Sequence, residues 1–253
     1  MRVATFNILH GRIPGGEVHV NLLRESIHAL DPDVLALQEV DFEQPRSGHT
    51  DMTAAAAEAM GAVAHRFVAA IAGTPGATWM AATGDEQPGT AGYGLALLSR
   101  YPVSSWQVVR LPRIPLPFPM YLPGPRRVQV VHEEPRAAVI ARIRTPLGDM
   151  TVANTHLSFV PGWNRAQLRR LIRDLAGFAG PRLLLGDLND PRVVPRRSRW
   201  RSLATAMSFP AAEPDRQLDY VLTDDPALRG VSAEAPLMPI SDHRPLAVEI
   251  RRG

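Results

Sequence analysis

Short apolar segments in this sequence repeatedly end on carboxylate or amide side chains. In "RLLLGDLNDP" (182–191), three leucines typical of a buried strand are followed by Asp187 and Asn189. The same arrangement recurs with Asn7 in "TFNIL", Gln38 and Glu39 in "LALQEV", Asn154 and His156 in "VANTHLS", Asp219 in "QLDYVL", and Asp242 and His243 in "ISDHRPL". Burying several carboxylates without partners is costly. So many at predicted strand ends therefore indicate a common purpose.

The apolar pattern predicts more strands than helices. Helical spacing is confined to residues 19–30, to 52–60 between a possible cap at Asp51 and a stop at Gly61, and to 163–178. Strand-like segments are "VATFNIL", "DVLALQEV", "YGLALLSR", "VSSWQVVRL", "RAAVIARIRT", "DMTVANTHLS", "LLLGDL", "LDYVL" and "PLAVEI". Because strands often follow one another directly, we expect a mixed α/β or α+β sheet protein, forming one domain over residues 1–253. Residues 112–125 contain six prolines and are predicted to be irregular.

Composition narrows the chemistry. The chain has no cysteine, so a metal site needs oxygen or imidazole ligands, which favours magnesium, manganese or calcium. No apolar run approaches the ~20 residues of a membrane span, and the N-terminus lacks signal-peptide regions, so we expect a cytoplasmic protein. Every basic residue is arginine, and a net charge of +3 does not by itself indicate nucleic-acid binding.

Each polar residue also has a simpler interpretation. A carboxylate after a strand is often a turn former or a helix cap, and an Asn within a strand can satisfy a neighbouring backbone group. A lone His is often a hydrogen-bonded core residue. A hard divalent cation and an anionic substrate would instead explain the whole set, because magnesium takes carboxylate, water and substrate oxygens. A nearby Asp can hold a His in one tautomer or as a cation.

The motifs "TFNILHG", "LQEV", "YGLALLSR", "EPRAAV", "NTHLS", "GDLND", "LDYVL" and "SDHRPL" occur in this order. Together they resemble the endonuclease/exonuclease/phosphatase superfamily, the magnesium-dependent phosphoesterases that include deoxyribonuclease I. The resemblance covers about residues 2–250. It implies a four-layer α/β sandwich of two packed β-sheets flanked by helices, with the active site at one end. The "EVD…RSG" stretch is similar to a bacterial subgroup whose substrate is unknown.

The resemblance also implies a Mg²⁺ cofactor, with Mn²⁺ as a possible substitute. In the superfamily the Glu of the "QE" motif is the principal metal ligand, which here is Glu39. Asn7 and Asp242 match positions that bind the metal directly or through water.

Four further residues match the catalytic positions of the superfamily. Asp187 corresponds to the Asp that orients or deprotonates the attacking water, and Asn189 to a donor to the phosphate. His243 corresponds to the catalytic His, and Asp219 to its carboxylate partner. The sequence leaves open whether His243 acts as an acid, a base or an electrostatic clamp.

The remaining candidates face the substrate, and two of them, His156 and Asn154, also count as catalytic residues. His156 and Asn154 match phosphate-facing positions. Arg136 could bind a phosphate in a bidentate manner or cover a sheet edge. Tyr93 could hydrogen-bond at the site, and Arg46 could lie beside the substrate.

Two segments could influence specificity. Residues 112–125 are the best candidate for a specificity loop, with packing over a sheet edge as the alternative. The arginine-rich stretch 192–203 could meet an anionic partner, but we expect it to be an exposed helix face.

Three functions remain open at this level. The first is hydrolysis of a phosphodiester, in nucleic acid or in a smaller molecule, with weak binding of duplex DNA. The second is hydrolysis of a phosphomonoester on a phosphorylated headgroup. The third is a catalytically inactive binding module, which the chemically competent core residues disfavour. The oligomeric state is not predicted.

Overall fold

The computed structural model describes residues 1–122, 127–192 and 199–253. The helices are α1 (Val20–Leu30), α2 (Met52–Met60) and α3 (Trp163–Leu175), with 3-10 turns at Leu9–Gly11 and Pro45–Ser47. The strands are β1 (Arg2–Asn7), β2 (Val34–Phe42), β3 (Ala64–Gly73), β4 (Trp79–Ala81), β5 (Gly92–Ser99), β6 (Val103–Leu111), β7 (Phe118–Leu122), β8 (Arg127–Val131), β9 (Arg136–Thr145), β10 (Gly148–His156), β11 (Arg182–Asp187), β12 (Arg201–Ser202), β13 (Asp219–Thr223), β14 (Leu228–Glu234) and β15 (Leu246–Arg252).

These strands form two mixed sheets and a separate ribbon. The first sheet has the order β14-β15-β1-β2-β5-β3-β4, and the second has the order β12-β13-β11-β10-β9-β6. Each sheet contains one parallel pair, β1 with β2 and β10 with β11, among antiparallel neighbours. Among the strands of the described residues, β7 and β8 pair with each other and with no other strand. The predicted mixed α/β sandwich is confirmed.

The two sheets pack face to face and are covered by helices on their outer faces. Alternate residues of a strand point to opposite faces. Leu183 and Leu185 accordingly lie in the core between the sheets, and Leu184 lies against α3. On the other side, α1 and α2 pack on the outer face of the first sheet, where Leu37 is fully buried. Because both faces of the central strands are buried, their sequences read as continuous apolar runs.

The predicted helices are confirmed in place and kind. The Asp51 side chain accepts a hydrogen bond from Ala54 N at the start of α2 (2.9 Å), and Gly61 ends that helix with φ of 69°. In α3 the buried positions Leu168, Leu171 and Leu175 follow a helical period, which leaves the arginines on the other side.

Two local predictions are wrong. Residues 112–125 are not wholly irregular, because β7 lies within them and pairs with β8 as an antiparallel ribbon; residues 123–126 lie outside the described residues. The stretch 192–203 was predicted as a helix face, but Arg201–Ser202 forms β12 beside β13, and residues 193–198 lie outside the described part. Among the described residues, no helix combines the length and apolarity needed to cross a membrane.

Candidate active site

Strand directions in the first sheet bring several polar residues to one edge. β1 and β2 run parallel, so their carboxyl ends meet, with Asn7 opposite Gln38. β15 is antiparallel to β1, so the segment before Leu246, which carries Asp242 and His243, reaches the same edge. β5 is antiparallel to β2 and starts there.

The second sheet has an equivalent edge. His156 pairs with Asp187 across parallel β10 and β11, and Asp187 pairs with Asp219 across antiparallel β11 and β13. Arg136 is the first residue of β9, which is antiparallel to β10. The two edges meet across the sandwich, because Asn7 Nδ2 of the first sheet donates a hydrogen bond to Asp187 Oδ2 of the second (3.1 Å).

Glu39 projects from an irregularity in β2. Its φ is 55°, a rare conformation for a residue with a side chain, and the register with β5 shifts between Gln38 and Val40. Such a bulge changes the direction in which one side chain leaves the strand. Here the Glu39 carboxylate accepts hydrogen bonds from Asn7 Nδ2 (3.0 Å) and from the Tyr93 hydroxyl.

Gly186 fixes the position of Asp187 at the end of β11. Its φ is 146°, and a Cβ on this residue would lie 1.9 Å from the Thr155 carbonyl oxygen of β10. Only glycine lets the two strands approach this closely. After Asp187 the chain turns through Asn189, whose φ is 50° and whose backbone N–H donates to Asp187 Oδ1 (3.0 Å). Asn189 Nδ2 uses one of its two N–H groups on the Leu157 carbonyl (3.0 Å).

The Oδ2 atom of Asp187 is the centre of the site. Asn7 Nδ2 lies 3.1 Å from it, His156 Nε2 3.5 Å and His243 Nε2 3.7 Å. Burial, followed by the neighbouring Asp219, raises the pKa of Asp187 to about 7. A carboxyl group with this pKa can accept a proton near neutral pH.

His243 and Asp219 form a buried pair behind Asp187. His243 Nδ1 lies 2.9 Å from Asp219 Oδ2, which leaves Nε2 directed toward Asp187. Burial lowers the pKa of His243, but the charge and hydrogen bond of Asp219 outweigh it and raise that pKa to about 10. His243 is therefore a cation at neutral pH.

His156 is in the opposite state. Burial, then the positive charges of Arg136 and His243, hold its pKa well below the usual value. A neutral imidazole 3.5 Å from Asp187 offers a hydrogen bond without adding charge.

Arg136 and Tyr93 line a small pocket beside His156. The Arg136 side chain is buried, with Nε 3.8 Å from Glu133 and Nη2 3.5 Å from Glu134. Arg136 therefore lies in this pocket next to His156, with both acidic neighbours close to its guanidinium.

Asn154 does not face the site, in contrast to the prediction. Its side chain is fully buried between the sheets, where Nδ2 donates to the carbonyls of Leu37 and Ala96 (both 2.8 Å). Its Oδ1 accepts from Gln38 Nε2 (2.7 Å). Because all three bonds tie β10 to the first sheet, Asn154 holds the sheets in register and has no donor left for a phosphate.

Arg46 lies next to the Glu39 side of the site. Its Nε and Nη2 bond both oxygens of the buried Asp41 (2.8 and 2.7 Å), and its guanidinium carbon is 5.3 Å from the centre of the Tyr93 ring. The spacing of Asp41 and Arg46 is the "EVD…RSG" motif. In this motif Asp41 therefore holds the guanidinium of Arg46 in one position beside the site.

Sequence reasoning missed two supporting residues. Ser241 Oγ accepts from His243 N (3.0 Å) and donates to the Asn7 carbonyl (2.6 Å), which joins the two segments of the site. The φ of Ser241 is 71°, a strained conformation for a residue with a side chain. Its position directly before Asp242 in "SDH" is the sequence signal that could have identified it. Glu133 is buried beside Arg136, and the sequence carried no signal for it.

The oxygen ligands fit a hard divalent cation. The Glu39 carboxylate is largely buried, and this burial, with nearby Asp242, raises its pKa against the hydrogen bonds of Asn7 and Tyr93. Two carboxylates that act on each other in such a place suit a hard divalent cation. Asn7 turns its Nδ2 toward the carboxylates while its Oδ1 accepts from Leu9 N (3.1 Å), so a water-mediated role suits it better than direct ligation.

A second acidic group is less suited to a metal. Ligand atoms of Asp187, Asp219 and His243 lie within 4.8 Å of one another. Asp219 and His243 are already bonded to each other at 2.9 Å, however, and a cationic imidazole repels a metal. This group is suited to proton transfer instead.

Residues 4–243 match the sequence profile described as the Endonuclease/Exonuclease/phosphatase family. The chain belongs to this family. Members of the family are phosphoesterases and are generally dependent on divalent metals, so the buried acidic edge has the expected character. A search among curated proteins finds no match.

Solved structures support the same assignment. An endonuclease/exonuclease/phosphatase from Beutenbergia cavernae is 26% identical, with a TM-score of 0.73, covering 100% of this chain and 72% of that one. The human Nocturnin catalytic domain, solved with a bound sulfate anion, is 20% identical (TM-score 0.66; 100% and 93% covered). A mannosyl-6-phosphatase from Bacteroides thetaiotaomicron is 13% identical (TM-score 0.63; 99% of both chains). The last two show the fold alone.

Proposed function

We infer that this protein is a Mg²⁺-dependent hydrolase of phosphodiesters, with Mn²⁺ as a possible substitute. One observation carries the proposal. Asp187 Oδ2, with a pKa raised to about 7, lies within 3.7 Å of His156, His243 and Asn7 at the edge where the sheets meet. An attacking water needs a base of this kind beside groups that bind an anionic phosphate.

Asp187 acts as the base that orients the attacking water and accepts its proton. Asn189 N holds Oδ1, and Asn7 holds Oδ2, so the carboxylate has one orientation. Asn189 supports the phosphate with its remaining amide N–H. General-base assistance of this kind contributes about 10²–10⁴-fold to the rate.

His243 acts as a cation next to the reacting phosphate. Its charge, maintained by Asp219, offsets the negative charge that develops on the phosphoryl oxygens. Its Nε2 also carries a proton that can pass to the leaving oxygen. Neutral His156 and buried Arg136 supply further donors to the phosphate, and Tyr93 orients Glu39.

Glu39 and Asp242 are the proposed metal ligands, with Asn7 acting through water. The ion, when bound, supplies a Lewis acid that polarises a phosphoryl oxygen. Glu39 leaves the ladder of β2 at a bulge, and such strained positions often serve a site rather than the fold.

A phosphomonoester is the alternative substrate, and fold alone does not select between the two. The test is hydrolysis of bis-p-nitrophenyl phosphate and p-nitrophenyl phosphate in Mg²⁺, Mn²⁺ and chelator. Preferred cleavage of the diester supports the proposal, and preferred cleavage of the monoester supports the alternative. Metal-loaded protein that cleaves neither, while binding phosphate, would indicate an inactive binding module. The cytoplasmic location stays a prediction.

A further inference from the structure

A groove lies beside the proposed active site and has no role in the chemistry above. It has a volume of about 500 Å³ and is lined by His10, Arg12, Gly16, Glu17, Val18 and Arg46. This is large enough for part of a small ligand. Its position next to Glu39 follows from Arg46, whose guanidinium stacks on Tyr93, the hydrogen-bond partner of Glu39.

His10 is held in the groove in an unusual way. It is more than nine-tenths buried, and its Nδ1 has no hydrogen-bond partner. Its φ of 46° and that of Leu9 (43°) are both left-handed, although neither residue is glycine. Strained backbone and unpaired buried polar atoms usually have a functional reason. His10 lies in the lining of the groove.

The two arginines of the groove have donors to spare. Arg46 uses Nε and Nη2 on Asp41, which leaves Nη1. Arg12 uses Nε on the Gly16 carbonyl (2.9 Å), and its two terminal nitrogens lie on an exposed side chain. A guanidinium held by two hydrogen bonds, as that of Arg46 is, can bind a phosphate-like oxyanion with little further ordering.

Two guanidinium groups act on His10. Its burial, then Arg46 and Arg12, lower its pKa to about 3, so the ring is neutral and keeps one N–H. Glu17 also lines the groove but is exposed, and it is not among the groups that shift this pKa.

The groove is coupled to the catalytic segment. The Arg12 carbonyl accepts a hydrogen bond from Ser241 N (2.8 Å), and Ser241 directly precedes Asp242 and His243. The backbone of Arg12, whose side chain lines the groove, is therefore tied directly to the loop that carries the proposed catalytic His.

We propose that the groove formed by His10, Arg12 and Arg46 is a substrate subsite that binds a second oxyanion, such as a second phosphate, of the phosphoester. This inference rests on the proposed function for the reacting group. It names the substrate class as a small phosphoester with two anionic groups, one at Asp187 and one in the groove.

The first experiment tests the groove without catalysis. Inorganic phosphate is titrated into the full chain in chelator, where the carboxylates of the metal site repel the anion, and the His10 ring signals are followed by NMR. We expect a saturable shift of these signals. Arg12→Gln should weaken phosphate binding about tenfold or more, Glu17→Gln should strengthen it, and Arg144→Gln, on an exposed side chain of β9, should leave it unchanged.

Arg46→Gln is a second variant, read together with its melting temperature because it leaves Asp41 buried without its partner. No shift of His10 with phosphate, or a shift equal in native protein and Arg12→Gln, would overturn the anion site.

The second experiment tests the link to substrate. Thymidine 5′-(p-nitrophenyl phosphate) and the same compound with a 3′-phosphate differ by one oxyanion. We expect kcat/KM to favour the 3′-phosphorylated compound by about tenfold or more, and Arg12→Gln to remove this preference. Hydrolysis of both without preference contradicts the subsite but not the proposed function. No hydrolysis, with phosphate still shifting His10, contradicts the proposed function and the subsite role together, and leaves only an anion site.

Discussion

Asp187 Oδ2 and His243 Nε2 lie 3.7 Å apart in a buried site, with proton affinities in an order that suits catalysis. The pKa of Asp187 is raised to about 7, mainly by burial, and that of His243 to about 10, because Asp219 outweighs burial. Between these values the carboxylate is ionised while the imidazole keeps its proton. In this pH range Asp187 is available as a base while His243 is a cation.

The first prediction is a bell-shaped dependence of kcat/KM on pH. Activity should rise as Asp187 loses its proton and fall as His243 loses its proton near pH 10. A bound divalent cation favours the ionised carboxylate, so the acidic limb in the loaded enzyme should lie below pH 7. The check is a pH–rate profile in saturating Mg²⁺.

Asp219→Asn provides the control for the assignment of the two limbs. Removing this carboxylate should shift the alkaline limb to lower pH, because the His243 cation loses its partner. It should also shift the acidic limb to lower pH, because Asp187 loses a repulsive neighbour. An alkaline limb that does not move would show that another group controls it.

The second prediction concerns the proposed base and cation themselves. Asp187→Asn and His243→Ala should each lower turnover by about 10²-fold or more, since each removes an interaction made in the transition state. Near-normal turnover in either variant would end the role assigned to that residue.

The Asp187→Asn variant should lose turnover without losing thermal stability. Folding raises the pKa of Asp187 from its ordinary 3.8 to about 7, so its contribution to the free energy of unfolding falls as pH rises through this range. At pH 8 the native protein bears the full cost of the buried charge, and the Asn variant does not. We expect a melting temperature at pH 8 equal to or above that of the native protein.

The candidate site was predictable where a short polar motif adjoins an apolar run that marks a strand. Asp187, Asp219 and His243 follow or precede apolar runs, and strand direction brings such ends together. Asn154 was placed wrongly for a physical reason. It shares a face of β10 with His156 but lies two residues further from the strand end, opposite the core residue Leu185, and its partners, the carbonyls of Leu37 and Ala96, belong to the opposite sheet. The sequence of one strand does not reveal where the site ends and the core between the sheets begins.

The strands and helices were predictable for the same reason. The prediction failed where the pairing of strands overrides the local sequence signal. Prolines made 112–125 look irregular, yet Pro119 lies in β7, opposite Val130. A two-stranded ribbon has free edges on which a missing N–H is tolerated. The bulge at Glu39 likewise depends on the register of β2 against β5, which no local pattern encodes.

The third prediction concerns the metal. Mg²⁺ should raise the melting temperature of the native protein, because an ion that binds only the folded state stabilises it. Glu39→Gln should abolish this shift and lower turnover by about 10²-fold or more. Glu58→Gln changes the same residue type on the exposed face of α2 and should keep both. Full activity after exhaustive chelation would contradict the proposed metal dependence.

The fourth prediction tests the approach of β10 and β11. Gly186→Ala would set a Cβ against the Thr155 carbonyl and impose a disfavoured φ of 146°. We expect a loss of at least about 2 kcal/mol in the free energy of unfolding. Turnover should also fall, because Asp187 is the next residue. Gly177→Ala, beyond the end of α3, meets only the Asp174 carbonyl at 3.5 Å and should be nearly neutral in a denaturant titration.

The last prediction is that duplex DNA binds weakly, even if it is cleaved. A protein that grips a duplex neutralises several phosphates, and its affinity then falls steeply with salt, with a slope of about −0.9 per phosphate. This chain has a net charge of only +3. Several of its arginines are already engaged by carboxylates, as Arg46 is by Asp41 and Arg165 by Asp190.

The measurement is a salt titration of duplex binding to Asp187→Asn protein, which does not consume the ligand. We expect weak binding and a shallow slope, in keeping with a small diester that occupies the site and the groove beside it. Tight binding with a slope for about six or more phosphates would instead make duplex DNA the substrate. Arg12→Gln should then reduce that slope by about one, since it would remove a single phosphate contact.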